Sequence, residues 1–453
     1  MRRFGRKASG EQTRKDMNGK LTSILAASAF SAAALLQAQD KATLDLLVSN
    51  GVITRAEADK VAKKSVQVSS KEKNAQKLAF SGRTQVQYQW LNSEDRAGNN
   101  SSVSKNGFQM RRIYFGMGAD LGAGWSGSVV LDIAKTGTPG ADYVEEAFIS
   151  KKADVDYLKG KLDLGYKKVN FAFEENTSSG KLLTIERSIA TRYFVEPQKS
   201  GYGQKGNIGF GSHYVGGYWN GEVTQIDGLS YAAAVTNSQN YNFKPGGDGA
   251  DNSVNVWLST AYKNKADFGD ANVLSYEIGV NGGFGPGANT TSGSYAENGS
   301  IWGVNPYIKI GFRGLTLWAD YLLADIEHGR LSPNGGVENA MPQGFNVGAE
   351  YKFDIGEFGA IAPTVRYSVL FTNGRGVKIS DAMSSAPSIS SDGTDFYNNA
   401  QSIFAGVNWY IDGNNVKFQL GYEWAEFRGN PANPSADSRA YVDAVRAQMQ
   451  ILF

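Results

Sequence analysis

Apolar and polar side chains alternate along many segments between Lys77 and the end of the chain. Successive side chains of a β-strand point to opposite faces, so this period of two predicts strands whose faces meet different surroundings. From residue 77 onward no run of 18 apolar residues occurs, which excludes membrane-spanning helices there. The pattern is clearest in 414–428, where the apolar face carries Val416, Phe418, Leu420, Tyr422 and Trp424.

Sixteen such segments can be placed, each of the length that a membrane-spanning strand requires. An even number of strands returns both ends of a barrel to the same side of a membrane. The strands are predicted at 78–92, 107–121, 124–135, 140–152, 157–168, 205–217, 225–237, 252–264, 270–284, 299–311, 314–327, 341–353, 359–372, 397–411, 414–428 and 439–453.

The connections between the predicted strands alternate in length. Most odd-numbered connections are long, such as 169–204 and 373–396, whereas most even-numbered ones are short, such as 412–413. The exceptions are 136–139 and 218–224. Long outer loops and short periplasmic turns are typical of outer-membrane barrels, and a soluble β-sandwich has no reason to show them. The predicted fold is therefore an all-β, sixteen-stranded antiparallel transmembrane barrel.

The first 38 residues have the layout of a Sec signal peptide. Lys20 precedes an apolar run, Leu21 to Leu36, and small residues follow up to Ala38. Residues 1–16 are basic and polar, and we interpret them as a start codon assigned too early. A twin-arginine signal at Arg2-Arg3 is a weaker alternative, because a barrel protein crosses the inner membrane unfolded. These features predict export to the cell outer membrane.

Residues 39–76 differ from the alternating region. An apolar cluster around Leu46 ends at Asn50-Gly51, and Thr54 to Glu57 forms a capping-box pattern. Two short helices followed by a polar linker are expected, either as a periplasmic anchoring segment or as a loosely ordered extension. The barrel domain is expected to occupy 77–453.

Composition removes several classes of function. The chain has no cysteine, so disulfides, thiolate metal sites and cysteine nucleophiles are excluded. His213 and His328 are too far apart for a local metal motif and are expected in loops or at the barrel rim. Without residues 1–38 the chain carries 39 basic and 42 acidic residues, which gives no reason to expect nucleic-acid binding. No metal, cofactor or catalytic set is predicted.

The final predicted strand ends on an aromatic residue. Tyr441, Val445 and Phe453 share one face with other apolar residues, and Arg446 and Gln448 lie on the opposite face. A C-terminal Phe on an alternating strand resembles the signature that the outer-membrane assembly machinery recognises. Phe453 is therefore the predicted assembly signal.

Three segments resemble the phosphate-selective porins O and P. The residues 109–118, read as QMRRIYFGMG, are similar to the second-strand segment of that family. The residues 164–174, LGYKKVNFAFE, and 185–188, IERS, resemble two further family motifs in the same order and spacing. The resemblance covers about residues 77–453.

The resemblance implies a sixteen-stranded barrel, usually a homotrimer, whose third outer loop folds into the lumen. It also implies a preference for anions such as phosphate. The sequence departs from the family at Asn170, where Pro is common. Connection 169–204 also carries four basic and four acidic residues, which favours a general porin over a phosphate-specific one.

An aqueous pore needs charged side chains at its constriction, and connection 169–204 is the obvious loop to form one. Arg111 and Arg112 are adjacent, so strict alternation allows only one to point inward, and the choice stays open. Glu186 is expected as a counter-charge, although Glu186 and Arg187 could instead only fix the loop to the wall. The expected pore-lining residues are Arg83, Arg111, Lys167, Glu186, Arg187 and Arg192.

These patterns predict a porin for passive diffusion of small polar solutes or ions. Its expected partners are outer-membrane lipid, the assembly machinery and two further copies of the chain. The alternative is an adhesin or structural barrel, because connections 285–298 and 373–396 are rich in Gly, Ser, Asn and Thr. An energy-coupled receptor would need about 22 strands and a plug. An outer-membrane enzyme would need a visible catalytic set.

Overall fold

A computed structural model describes most of the chain after residue 76. The described residues are 77–95, 101–135, 143–196, 205–238, 254–269, 272–286, 299–332, 334–389, 396–429 and 438–453. The predicted signal peptide, 1–38, and the predicted helical segment, 39–76, lie outside them. Among these residues no helix is long and apolar enough to cross a membrane.

Sixteen strands make up the described sheet. Strand β12 has short paired extensions at Val337–Ala340 and Phe353–Asp354. The strands are β1 Lys77–Asp95, β2 Ser102–Gly122, β3 Trp125–Asp132, β4 Val144–Lys152, β5 Leu158–Lys168, β6 His213–Val223, β7 Leu229–Asn237, β8 Val254–Asp267, β9 Val273–Gly285, β10 Ile301–Phe312, β11 Leu315–Leu331, β12 Gln343–Tyr351, β13 Ala360–Phe371, β14 Asn399–Asp412, β15 Val416–Arg428 and β16 Arg439–Leu452.

Each strand pairs antiparallel with the next, and the sheet closes on itself. The closing pair is β1 with β16, whose register sets Gln85 opposite Gln450. Closure leaves no strand with unpaired backbone groups at an edge. A membrane-spanning sheet must be closed in this way, because lipid offers no hydrogen bonds to unpaired backbone groups. The predicted all-β, sixteen-stranded antiparallel barrel is confirmed.

One predicted strand is misplaced. The sequence predicts the sixth strand at 205–217, but β6 is His213–Val223. Ile208 and Phe210, which lie within that predicted strand, are buried inside the barrel. Their backbone N–H groups donate to Tyr193 O (2.9 Å) and Phe194 O (2.8 Å) of the preceding connection. The connection after β5 is therefore longer than predicted.

The two faces of the wall differ as the alternation predicts. On β1, Gln85 and Gln87 are buried on the interior face, whereas Tyr88 and Trp90 are exposed on the outer face. Exposed aromatic residues lie near both ends of the strands, as expected for girdles at the two membrane interfaces. They include Phe80, Trp125, Phe353 and Trp409 near the short turns, and Trp90, Phe284, Trp302 and Phe371 near the long loops.

The last residue completes the seam between β1 and β16. The backbone of Phe453 exchanges two hydrogen bonds with Gly82, at 2.6 and 3.1 Å. A Cβ at position 82 would lie 2.2 Å from the Phe453 ring, so only glycine lets the ring lie across β1 there. Phe453 is itself exposed on the lipid-facing side.

Candidate functional site: a charged constriction inside the barrel

The described parts of the connection between β5 and β6, residues 169–196 and 205–212, fold into the barrel and are named here the inner loop. It carries two short helices, α1 (Phe173–Asn176) and α2 (Ile189–Val195). Ser188 caps α2, because its Oγ accepts from the Thr191 N–H at 3.1 Å. All seven residues of α2 are buried, so the helix packs against its surroundings on every side.

An apolar cluster holds the inner loop against one side of the barrel. Phe171 and Phe210 of the loop pack at 5.2 Å between ring centroids, and Phe210 lies 4.5 Å from Trp257 on β8. Trp257 is fully buried although it points into the lumen. Burial of such aromatic surface stabilises the loop in place.

The tip of the inner loop is fixed through its backbone carbonyls. Lys417 Nζ of β15 donates to Gly180 O (3.2 Å) and to Leu182 O (3.0 Å). Asn408 Nδ2 of β14 donates to Leu183 O at 2.8 Å. Because carbonyl acceptors are present whatever the side chain, the loop sequence alone does not reveal these anchors.

Part of the lumen lies open between the inner loop and the β1–β5 wall. It is a cavity of about 920 Å³, named here the constriction cavity. Nine basic side chains line it against five acidic ones. The basic residues are Arg83, Arg111, Arg112, Lys135, Lys167, Lys168, Lys181, Arg187 and Arg192, and the acidic ones are Asp132, Glu145, Glu146, Glu175 and Glu196.

Arg111 and Arg112 both reach the interior, so the expectation that only one of them could do so is wrong. Gln85 of β1 pairs with Arg112, while the next residue, Val86, pairs with Met110. Arg111 is thus the extra residue of a β-bulge, and a bulge breaks the strict alternation of faces. Arg112 donates to Gln85 at 2.9 Å.

Arg111 forms a two-pronged ion pair with Glu186 of the inner loop. Its Nε and Nη2 donate to Glu186 Oε1 and Oε2 at 2.6 and 2.8 Å. Burial by itself would raise the pKa of Glu186, but Arg111 holds that pKa well below its usual range. The pair joins β2 to the loop with matched planar geometry.

A family model described as "Phosphate-selective porin O and P" matches residues 79–453. The chain belongs to this family of outer-membrane porins. The match covers most of the chain, including the whole barrel and the inner loop. No curated protein matches the chain.

Solved porin structures resemble the barrel of this porin at low sequence identity. Salmonella typhi OmpF is 16% identical, with a TM-score of 0.45 over 83% of this chain and 98% of its own. Pseudomonas putida OprB is 10% identical, with a TM-score of 0.48 over 84% and 94%. Acinetobacter baumannii DcaP is 12% identical, with a TM-score of 0.46 over 83% and 97%.

A second ion-pair group of the porin surrounds Glu175 on α1. Arg187 Nε lies 2.7 Å from Glu175 Oε2, and Lys168 Nζ lies 2.8 Å from Glu175 Oε1. Burial would raise the pKa of Glu175, yet Arg187 and Lys168 lower it to about 2. Glu175 therefore stays ionised and offsets part of the positive charge of the two basic residues.

Other basic residues of the porin lack such compensation. Arg83 donates to Ser178 Oγ at 2.9 Å and to Ser179 Oγ, and its guanidinium lies 4.9 Å from the Tyr114 ring centroid. In the part of the chain that the structure describes, no carboxylate lies within 4 Å of Arg83, Arg112 or Lys181. These three cations therefore line the cavity without a direct ion pair to any described carboxylate.

The two remaining sequence-predicted cations also reach the cavity. Lys167 pairs with the buried Asp163, four residues earlier on β5, and lies 4.9 Å from the Phe148 ring centroid. Arg192 on α2 pairs with Glu196 at 3.0 Å. Neither Lys167 nor Arg192 takes part in the Arg111–Glu186 ion pair, which joins β2 to the inner loop.

Sequence reasoning missed several members of the site. Arg112 and Lys181 line the cavity next to a bulge and in an inward-folded loop, and neither feature is visible in alternation; Lys168, the last residue of β5, also lines it. His213 is buried at the start of β6, stacked 5.6 Å from Tyr166, so the expectation of a loop or rim position is wrong for it. No group of three or more metal-ligating side chains occurs among the described residues.

Proposed function

We propose that this porin conducts small polar solutes and ions by passive diffusion, with a preference for anions. The supporting observation is the excess of basic over acidic side chains around the constriction cavity. Charged groups at a narrow point set ion preference, because a permeating ion passes them with little intervening water. The expected pore-lining residues Arg83, Arg111, Lys167, Arg187 and Arg192 belong to this set, and Glu186 anchors the inner loop.

Ion selectivity in planar bilayers tests the proposal. In a KCl gradient we expect a reversal potential displaced toward that of chloride. Arg83→Glu and Lys167→Glu should each move the reversal potential toward that of potassium by several millivolts, because each reverses a charge beside the permeating ion. Arg313→Glu, at the exposed turn between β10 and β11, is the matched control and should leave it unchanged. A wild-type reversal potential near zero contradicts anion preference, and absence of conductance contradicts the porin function.

An adhesin or structural barrel is less well supported. That alternative drew on connection 373–396 as a surface-exposed loop. The described part of the connection between β13 and β14 instead packs inward, with Ile379, Ala382 and Met383 buried. Arg192 Nε of the inner loop donates to Asp381 O there, at 3.2 Å. We name the described residues 372–389 the cap loop, because their buried side chains and Asp381 O lie against α2.

We also propose that the porin forms a homotrimer through its β3–β4 wall. Strands β3 and β4 have 8 and 9 residues, whereas β1 and β2 have 19 and 21. A strand that faces lipid over the whole hydrocarbon core needs about 9–11 residues, so β3 lies just below this length and β4 at its lower limit. The outer face of this low wall carries Val129 and Ile149, both exposed. Neighbouring copies would cover it better than lipid.

Two further proposals concern export and assembly. We propose that residues 1–38 direct export through the Sec pathway and that Phe453 is read by the outer-membrane assembly machinery. The exposed position of the Phe453 ring, beside Gly82 on the lipid face, supports a role beyond packing. Residues 39–76 are proposed as a short periplasmic segment before the barrel.

A further inference from the structure

One buried arginine contacts both arms of the inner loop. Arg366 lies on the interior face of β13 and is 2% exposed. Its Nη1 donates to Glu174 Oε1 (2.9 Å), Thr184 Oγ1 (2.9 Å) and Glu186 O (2.8 Å), all in the inner loop. Its Nη2 donates to Glu423 Oε1 on β15 at 2.8 Å. A single guanidinium thus ties α1 and the segment 184–186 to the barrel wall.

These contacts reach the constriction through Glu186. The carbonyl of Glu186 is bound by Arg366, while its carboxylate pairs with Arg111 on β2. Glu174 links Arg366 to α2 as well. Its Oε2 accepts a hydrogen bond from the N–H of Ser188, the residue that caps α2, at 2.7 Å. The positions of both the ion pair and α2 therefore depend on where Arg366 holds the loop.

The barrel itself does not depend on this side chain. The backbone of Arg366 pairs with Gly348 on one side and Phe404 on the other, and those ladders need no particular side chain. Without the guanidinium, Glu174 would be buried with no cation among the described residues within 4 Å, whereas Glu423 would keep Arg446 at 3.3 Å. An unpaired buried carboxylate is unfavourable, so the loop should move before the wall does.

We infer that Arg366 is the positioning residue of the constriction, since it sets how far the inner loop closes the lumen. The inference rests on the proposed function in one respect, that the inner loop bounds the conducting path. It adds a residue that lies behind the loop and does not line the constriction cavity. Its effect on ion flow is exerted through Glu186 and α2.

Single-channel recording of two matched variants tests this inference. Glu174 and Glu423 both pair with Arg366 and are equally buried, but only Glu174 belongs to the loop. Glu174→Ala should raise conductance roughly twofold and add open-channel noise, because a wider or mobile constriction passes more ions. Glu423→Gln, which keeps a side-chain oxygen as acceptor for Arg366 and Arg446, should conduct like the wild type. Equal behaviour of the two variants overturns the inference.

Arg366 itself is tested by a pair of substitutions. Arg366→Met should reproduce the larger, noisier conductance of Glu174→Ala, while Arg366→Lys should restore part of the wild-type value. Heat-modifiable migration on gels reports whether each barrel has formed. A folded Arg366→Met barrel with wild-type conductance contradicts the inference, and where that variant does not fold, the Glu174 and Glu423 pair decides. A wild-type channel without anion preference would contradict the proposed selectivity and leave these conductance differences unaffected.

Discussion

At the scale of single residues, the constriction separates charges that hold the structure from charges that face the solute. Arg111 is engaged with Glu186, and Arg187 with Glu175, so these pairs chiefly fix the inner loop. Arg83 and Arg112 donate only to neutral side chains among their described contacts. The sequence could suggest basic residues in the lumen, but the partner of each depends on where the inner loop lies, which no local pattern reveals.

The ionisation of Glu175 leads to a prediction about pH. Its pKa is lowered to about 2, so the stability that its ion pairs contribute is fully present at neutral pH and is lost progressively as pH falls from the ordinary glutamate pKa, about 4.3, through 2. Glu175→Gln removes one negative charge and should make the channel more anion-selective. This difference from the wild type should be as large at pH 4 as at pH 7 in planar-bilayer reversal potentials.

An ordinary glutamate would behave differently. With a pKa near 4.3 it would be more than half protonated at pH 4, and the difference between Glu175→Gln and wild type would shrink by more than half. Such shrinkage would show that Arg187 and Lys168 do not hold the carboxylate ionised. Other lumen carboxylates change both proteins equally, so they cancel in the comparison.

At the scale of elements, the structure departs from the predicted strands where residues contact the interior of the barrel and not lipid. Alternation locates fifteen strands closely because lipid on one side and lumen on the other impose a period of two. It misplaces β6, since the apolar residues Ile208 and Phe210 belong to the inner loop and are buried inside the barrel. It also misjudges β2, where the bulge at Arg111 lets two consecutive arginines face inward.

The bulge can be tested by cysteine accessibility, because the natural chain contains no cysteine. We expect Arg111→Cys and Arg112→Cys both to react with a water-soluble charged thiol reagent added to an open channel, with a step in current. Met110→Cys, exposed on the lipid face of the same strand, should give no step. A response from only one of the two arginine positions would indicate regular alternation without a bulge.

At the scale of the whole molecule, the barrel was predictable and its interior was not. The number of strands and the alternation of long and short connections follow from patterns that repeat many times along the sequence. The last strand is recognised by its alternation and by Phe453 at its end. The inner loop could be chosen by its length, yet its long-range contacts, such as Lys417 to Gly180 O, join residues more than 200 positions apart. Such contacts are set by closure of the barrel and have no local signal.

The proposed trimer can be tested by cysteine cross-linking. Because the natural chain has no cysteine, only the introduced cysteine can react. Ile149 on β4 lies on the low wall, and Val365 on β13 lies on the far side of the barrel, at similar exposures of 57% and 52%. If copies meet at the low wall, Ile149→Cys should give cross-linked oligomers with a short bifunctional maleimide in outer membranes. Val365→Cys should stay monomeric on denaturing gels under the same conditions. Because both side chains are apolar and equally exposed, random collision in the membrane would cross-link them alike. Equal cross-linking, or none at Ile149, would argue that the short strands β3 and β4 meet thinned lipid and that the porin does not associate through this face.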